Sequence, residues 1–256
     1  MTAFAGAPLS ADGMAAAVAV LGAGRAAVWA LLAVETGGVG FLPDRRPKIL
    51  FERHVFHRLT GGRFDAVAPD VSHAVPGGYG ALGAHQWDRL AVAQRLDAAA
   101  AVQAASWGLG QIMGEKHALA GFASAEAMIA AFTAGEDAQI AGMAAFVQAI
   151  GAAGFVAAGR WADYARRYNG VGYAANHYDT RLATACAQFT QAGCPDLDVR
   201  AAQLLLGYLG VPLVVDGMAG PATGAALRRF QAGAGIDVSG RADAATLAAL
   251  RVKTMG

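Results

Sequence analysis

One apolar stretch organises the sequence, and it reads Ala26-Ala27-Val28-Trp29-Ala30-Leu31-Leu32-Ala33-Val34-Glu35-Thr36-Gly37-Gly38. Nine apolar residues in a row need a partner to pack against, so the stretch predicts a buried helix. The two glycines that follow predict a left-handed cap, which places Glu35 in the last turn. The negative end of the helix dipole and the apolar surroundings both disfavour a charged carboxylate and raise its pKa. A general acid working near neutral pH needs such a raised pKa, although a Glu that simply points to solvent is the alternative.

Bulk composition limits the classes of protein to consider. The chain has 256 residues, of which 55% are hydrophobic and 15% charged, enough for one or two domains with a substantial core. A net charge of +1 gives no support for nucleic-acid binding. Cationic side chains are nevertheless concentrated after Glu35, and they either form a solvated face or bind an anionic polymer. They are Arg45, Arg46, Lys48, Arg53, Arg58 and Arg63.

The cysteines and the N-terminus bear on where the protein is made. Cys186 and Cys194 are eight residues apart, which fits one local disulfide or two free thiols. No Lys or Arg precedes Arg25, so the basic region of a secretory signal is missing, and the apolar run 14–24 is too short to span a bilayer. We expect a monomer that is made in the cytoplasm without a signal peptide. We expect no stable membrane insertion, no nucleic-acid partner and no cofactor.

The remaining segments predict a mainly helical protein with one small sheet. Ser10 is expected to cap a first helix that runs to about Leu21. Residues 47–56 mix β-branched, aromatic and charged side chains, which favours a short strand or hairpin. The Gly- and Pro-rich stretch 69–83 predicts a long irregular loop, which in a compact domain is usually functional or mobile. A helix is expected over 87–105, and the glycine-rich stretch 106–114 interrupts the chain after it. Three more helices are expected over 127–150, 161–168 and 173–191, the first with Glu136 and Asp137 on a polar face.

A different pattern begins after Gly193-Cys194-Pro195. Two copies of a weak repeat, 216–227 and 239–250, each combine a turn, a helix start and an apolar face. With a further helix over 199–209 they predict a three-helix module. We therefore divide the chain into domains 1–192 and 193–256.

Three motifs of the first domain have the order and rough spacing of a known fold. They are Glu35 at the helix end, the loop Gly108-Leu109-Gly110-Gln111-Ile112-Met113, and Tyr168-Asn169-Gly170. Together they resemble the signatures of goose-type lysozymes and soluble lytic transglycosylases. The sequence departs from those signatures at Thr36, Gly110 and Arg167. The resemblance implies a lysozyme-like helical catalytic domain with a small β-hairpin.

A closer resemblance is to the N-acetylmuramidase domain of phage endolysins, over roughly residues 10–190. It is carried by Val34 to Phe41, Arg46 to His54, Ala105 to Gly114 and Tyr168 to Gly170. It implies hydrolysis of the β-1,4 bond between N-acetylmuramic acid and N-acetylglucosamine in peptidoglycan. It also implies passage to the cell wall in the periplasm through a holin-type pore.

The tail resembles the peptidoglycan-binding domain of many cell-wall hydrolases. The usual second Gly-Pro of that domain is absent at 242–244. The resemblance implies wall binding by Asp216, Gly217, Thr223, Phe230 and Gln231.

Glycoside cleavage needs a second group that stabilises or traps the oxocarbenium-like centre. Glu52, 17 residues after Glu35 on the expected strand, is our first candidate. A salt bridge between Glu52 and Arg53 or Arg58 is the competing role, and Asp44 on a turn is the second candidate. The spacing of the two carboxyl groups, which the sequence leaves open, decides between inversion and retention. If neither carboxylate acts, a lytic transglycosylase that uses Glu35 alone is the alternative, and a non-catalytic wall-binding phage protein is another.

Substrate contacts are expected from the glycine loop and from the helix that ends at Asn169. Backbone amides of the loop would approach the acetamido groups, and Gln111 would donate to substrate or to Glu35; a tight turn between packed helices is the alternative. Tyr168 is expected to bind Glu35, and Asn169 to line the floor or merely to end its helix. The predicted substrate-binding residues are Ser106, Gly108, Gln111, Ile112, Met113, Tyr168 and Asn169.

Two other chemistries are disfavoured. His54 and His57 lie beside Glu52, but their spacing is not that of a zinc peptidase and a third ligand is not evident, so we expect no metal. Ser106 lacks the turn motif of an esterase nucleophile.

Overall fold

The computed structural model describes residues 4–255, and it describes their side chains except those of Val171 and Met255. Within this range the chain forms thirteen α-helices and one three-stranded sheet, as the mainly helical prediction requires. The helices before residue 193 are α1 Ala11–Leu21, α2 Arg25–Thr36, α3 Arg53–Thr60, α4 Ala84–Leu96, α5 Ala98–Gln103, α6 Ala125–Ala134, α7 Glu136–Ala149, α8 Ala153–Ala157, α9 Trp161–Asn169 and α10 Tyr178–Ala192. Those after it are α11 Leu197–Tyr208, α12 Pro221–Ala234 and α13 Ala244–Met255.

The first two helices end where the sequence predicts. The Ser10 hydroxyl caps α1 by accepting a backbone N–H of the first turn, and Gly22 ends α1 with a φ of 59°. Gly37 ends α2 with a φ of 68°, and its N–H donates back into the helix. Glu35 therefore lies in the last turn of α2.

The sheet joins distant segments of the chain. Strand β1, Ile49–Phe51, pairs antiparallel with β2, Ala105–Trp107, which pairs antiparallel with β3, Ile112–Met113. The predicted strand over 47–56 is too long, because α3 begins directly after Glu52, its N-cap. The β-branched and aromatic residues beyond Glu52 form the buried face of α3 instead of a second strand. The glycine loop is the turn of the β2–β3 hairpin.

Other predicted elements differ in detail. The expected helix over 87–105 is two helices divided at Asp97, whose carboxylate caps α5. Helix α10 begins at Tyr178, later than predicted, because a 3₁₀ turn precedes it. The prediction that Glu136 lies on a polar face of α7 is wrong, because Glu136 is fully buried and paired with Arg200.

Two apolar clusters fill the part of the chain before residue 193. One surrounds α2, and the other surrounds the sheet. Tyr168 of α9 packs against both clusters and therefore lies at their junction. The Thr36 hydroxyl at the end of α2 donates to the Leu109 carbonyl of the β2–β3 turn (3.2 Å), so these two segments are neighbours.

Helices α11, α12 and α13 form the predicted three-helix module around a third apolar cluster. The weak repeat corresponds to two loops that are each held by a buried glutamine. Gln203 accepts from the amides of Asp216 and Gly217 and donates to the Thr223 hydroxyl (3.0 Å). In the second copy, Gln231 accepts from a loop amide and donates to the hydroxyl of a helical threonine in the same way.

These contacts correct part of the predicted wall-binding set. Thr223 and Gln231 are 5% and 0% exposed, so direct contact of their side chains with the wall is wrong. Gly217 is also buried, Asp216 is exposed, and Phe230 is half-buried against the core of the module. The motif therefore specifies loop structure more than it specifies a ligand surface.

Two further expectations concern the thiols and membrane spans. Cys186 and Cys194 are both free thiols. Within residues 4–255 no single helix is long and apolar enough to cross a membrane. Helices α1 and α2 meet that test only as a pair, and the pair is bent by 103°.

Candidate active site

Glu35 combines burial with an unused oxygen. Its Oε1 is buried and has no hydrogen-bond partner among the described residues. Burial raises the pKa of Glu35 to about 7, because a charged carboxylate is poorly solvated there, and the nearby Arg181 guanidinium opposes part of this rise. The sequence-based expectation of a raised pKa is therefore confirmed. A substantial fraction of this carboxyl group is protonated near neutral pH.

Arg181 and a group of tyrosines surround the end of α2. Arg181 of α10 donates to the Val34 carbonyl (3.1 Å). Tyr164, Tyr168 and Tyr178 have a raised pKa, first because they are buried and also because Glu35 is near. These neutral rings contribute to the burial of the region around the carboxyl group.

The expected hydrogen bond from Tyr168 to Glu35 is wrong. The Tyr168 hydroxyl donates to the Gly110 carbonyl of the β2–β3 turn (2.5 Å), and its ring stacks on Tyr164 with the centroids 5.2 Å apart. Tyr168 therefore fixes the turn relative to α9. Asn169, the last residue of α9, has a buried Nδ2 without a partner among the described residues. Neither Tyr168 nor Asn169 lines the cavity beside Glu35.

A cavity of about 410 Å³ opens beside Glu35. The end of α2, strand β1 and the residues before it, the loop before α4, and the glycine loop contribute its walls. Its lining residues are Glu35, Thr36, Leu42, Lys48, Ile49, Leu50, Leu82, Gly83 and Gln111. Of the predicted site residues, the structure thus brings Glu35 and Gln111 to one cavity. The volume is within the range of small-ligand sites.

The glycine loop is a scaffold built around Gln111. Gln111 has a φ of 48°, accepts from the Ser106 hydroxyl (2.8 Å) and donates to the carbonyl of Gly108 (2.9 Å). The expectation that Gln111 braces Glu35 is therefore wrong, since its amide is used inside the loop. Ser106 and Ile112 are buried and Met113 is half-buried, so these residues shape the wall from behind.

Glu52 lies outside the Glu35 cavity as the structure defines it. The Tyr79 hydroxyl donates to its Oε1 (3.1 Å), and His54 Nδ1 lies 3.1 Å from Oε2 without hydrogen-bond geometry. The competing salt bridges are wrong, because Arg58 pairs with Glu115 and Arg53 donates to a loop carbonyl. The Glu52 side chain is 15% exposed and is held by Tyr79, a residue of the irregular loop.

Asp44 is in a different environment. Its side chain is 49% exposed and bonds Arg46 at 2.6 Å. Hydrogen bonds from Arg46 lower the pKa of Asp44 despite some desolvation, so the group is ionised at neutral pH. Asp44 also does not line the cavity that holds Glu35.

Sequence reasoning missed the residues that hold the site together. The Lys48 ammonium donates to the Thr36 carbonyl (2.9 Å) and lines the cavity, and burial lowers its pKa. Gln139 of α7 accepts from the Leu109 amide (2.9 Å) and packs on Gly108. Lys48 lies within the motif from Arg46 to His54, whereas Gln139 is distant in sequence from every motif. Among the described residues no group of three metal-ligating side chains occurs.

Comparisons with known proteins give two family matches. Residues 24–190 match the N-acetylmuramidase family, and residues 195–250 match a peptidoglycan-binding domain family. No curated protein matches the chain. Among solved structures, the crystal structure of the Burkholderia AP3 phage endolysin is similar, with 35% sequence identity and a TM-score of 0.65. The similarity covers 73% of this chain and 72% of that one.

Proposed function

Because this chain belongs to the N-acetylmuramidase family and carries a C-terminal peptidoglycan-binding domain, we propose that Glu35 is the general acid that cleaves its substrate. The chain is a peptidoglycan hydrolase with a wall-binding module, and its resemblance to an endolysin is in both sequence and structure. The bond attacked is the β-1,4 link between N-acetylmuramic acid and N-acetylglucosamine. The observation that carries the proposal is the buried, unpartnered Oε1 of Glu35 beside a cavity.

The proposed reaction begins with Glu35 protonated. Its carboxyl group gives the proton to the glycosidic oxygen as the bond to the anomeric carbon breaks, so the leaving sugar departs as an alcohol. Glu35 is then a carboxylate that is poorly solvated, which favours recovery of a proton from the attacking nucleophile. Asn169 Nδ2 and the backbone of the glycine loop are the proposed donors that hold the acetamido groups.

Two routes remain for the second half of the reaction. In hydrolysis, Glu52 is the proposed second carboxylate, since Tyr79 holds it in a half-enclosed position next to the loop that lines the cavity. In a lytic transglycosylase, Glu35 acts alone and the muramic acid hydroxyl displaces the bond. One observation favours this second candidate: Glu35 is the only carboxylate among the residues that line the cavity.

We further propose that the enzyme acts as a monomer and does not bind nucleic acid. It would leave the cytoplasm through a holin-type pore and act on the wall in the periplasm. The C-terminal module would hold the enzyme on peptidoglycan through the exposed surface around Asp216 and Phe230. The division at residues 192 and 193 is proposed as the domain boundary.

Mass spectrometry of digested peptidoglycan tests this function. Reducing muramic ends are expected for a hydrolase, and anhydro-muramic ends would assign the transglycosylase route. Release of peptides without new sugar ends, or binding without any cleavage, would contradict the proposal. Glu126→Gln, which alters an exposed carboxylate of α6, is the control for the Glu35→Gln enzyme in the same assay.

A further inference from the structure

We propose that Arg200 of the C-terminal module is a positioning residue for Glu35, so that the module completes the catalytic domain as well as targeting it. The inference rests on the proposed role of Glu35 as the general acid. It is carried by the contacts that Arg200 makes beneath the end of α2.

Arg200 is buried where α11 meets the end of α2, and it is 1% exposed. Its Nε and Nη2 donate to the Gly38 carbonyl (3.1 and 2.5 Å). Its Nη1 and Nη2 donate to the Glu136 carboxylate (2.6 and 2.7 Å). The guanidinium also lies 5.7 Å from the ring centroid of Trp29, which is on α2. One side chain of the module thus joins the catalytic helix α2 to α7.

Glu136 extends this connection to the chain that leaves α2. Besides the bonds from Arg200, its oxygens accept from the amides of Gly40 and Leu9, each at 2.8 Å. Gly38 and Gly40 follow Glu35 by three and five residues. The buried ion pair therefore fixes the exit of the catalytic helix at two points.

Helix α7 also fixes the opposite wall of the cavity. Gln139, one turn after Glu136, accepts from the Leu109 amide of the glycine loop (2.9 Å). The Thr36 hydroxyl bonds the carbonyl of the same Leu109 (3.2 Å). Arg200 thus contacts the segment after α2 directly and is connected to the glycine loop through α7. The end of α2 and that loop both line the cavity that contains Glu35. A displacement of about 1 Å at a reacting group is enough to lower turnover by about 10²-fold.

The choice of an ion pair at this place favours a positioning role. A buried pair adds little net stability compared with apolar residues of the same volume, but it specifies one arrangement of its partners. The planar fork of Arg200 makes two bonds to Glu136 and two to the Gly38 carbonyl, which the three donors of an ammonium group cannot reproduce.

The test uses full-length Arg200→Lys and Arg200→Met, with Arg229→Met as control because Arg229 is an exposed residue of α12. Turnover is measured on soluble peptidoglycan fragments, below the Tm of each variant. Arg200→Lys keeps a charge for Glu136 but loses the fork. We expect its kcat to fall at least about tenfold with little change in KM, because the geometry of the acid is altered and not the binding of sugar. Arg229→Met is expected to match the wild type.

The double variant Glu136→Gln/Arg200→Met removes both buried charges. We expect it to regain Tm relative to Arg200→Met without regaining kcat, since the Gly38 carbonyl stays unbound. Wild-type kcat in folded Arg200→Lys or in the double variant would overturn the inference, as would a change in KM alone. Failure of all Arg200 variants to fold would assign Arg200 a structural role only and overturn it too. An inactive wild type would contradict the proposed function instead.

Discussion

At the scale of the residue, the site depends on how the protein isolates one carboxyl group. Glu35 is the last charged side chain of an apolar helix, and its Oε1 has no partner among the described residues. Of the nearby tyrosines, Tyr168 donates its hydroxyl to the Gly110 carbonyl, and the buried Tyr164 hydroxyl has no partner among the described residues. Poor solvation therefore keeps a substantial fraction of this carboxyl group protonated near neutral pH.

The pH dependence of the reaction should reflect Glu35. Because the acid must be protonated, kcat/KM is expected to fall as the pH rises through about 7. Arg181 lowers the pKa of Glu35, so Arg181→Met should raise that pKa and move the falling limb to higher pH. The measurement is kcat/KM on soluble fragments between about pH 5 and 9. An unchanged limb in Arg181→Met, or a shift that exposed Arg229→Met reproduces, would contradict this assignment.

The second carboxylate is also a question about single residues. Glu52 is largely enclosed and bonded by Tyr79, whereas Asp44 is exposed and paired with Arg46. Glu52→Gln is expected to lower kcat far more than Asp44→Asn, by about 10²-fold or more if the group acts in the transition state. Initial rates on purified wall compare the two. The reverse order would move the role to Asp44, and near-normal rates in both would leave Glu35 acting alone.

At the scale of the element, local sequence patterns predicted the ends of the first two helices correctly. Ser10 and Gly22 bound α1, and Gly37 ends α2, because capping depends on side chains and φ angles within one turn. The position of Glu35 in the last turn of α2 was predicted correctly for the same reason. The three-helix module was also predicted, because each of the two copies of the weak repeat combines a turn with a helix start.

Non-local partners explain what the sequence could not predict. Strand β1 lies within the strand predicted over 47–56, but β2 and β3 have only three and two residues, too few for alternation to reveal them. Glu136 appeared to be a polar-face residue because its partner, Arg200, is 64 residues away. Gln111 was expected to donate to substrate or to Glu35, yet its side-chain amide donates to the Gly108 carbonyl of its own loop.

The connection after α2 yields a test at this scale. A Cβ on Gly40 would lie 1.9 Å from Gln139 Oε1, the atom that holds the Leu109 amide. Gly40→Ala should lower the free energy of unfolding by about 1–3 kcal/mol and reduce kcat, because overpacking displaces Gln139. Gly233→Ala is the control, since Gly233 is an exposed residue of α12 and nothing lies within 4 Å of its added Cβ. Equal stability in denaturant for both variants would refute this account of the connection.

At the scale of the whole molecule, the module and the catalytic part share buried contacts. The Arg200–Glu136 pair is enclosed, and the Tyr208 hydroxyl of α11 donates to the Gly6 carbonyl (2.9 Å). An apolar cavity of about 390 Å³ lies between the two parts and shares Leu42 and Lys48 with the catalytic cavity. The cavity beside Glu35 and the cavity between the two parts are therefore neighbours.

This arrangement predicts cooperative unfolding. All four tryptophans precede residue 193, so their fluorescence reports the catalytic part, whereas far-UV circular dichroism reports every helix. The two signals should show one coincident transition in denaturant. In the Glu136→Gln/Arg200→Met variant they are expected to separate, because the parts lose their buried link. Separate transitions in the wild type would contradict the coupling.

The central claim is that Glu35 is the general acid, and its most direct test is the turnover of Glu35→Gln on purified peptidoglycan. The account predicts a loss of at least about 10²–10⁴-fold, with circular dichroism and Tm showing an intact fold and Glu126→Gln as active as the wild type. Near-normal release of sugar ends by a folded Glu35→Gln enzyme would contradict it.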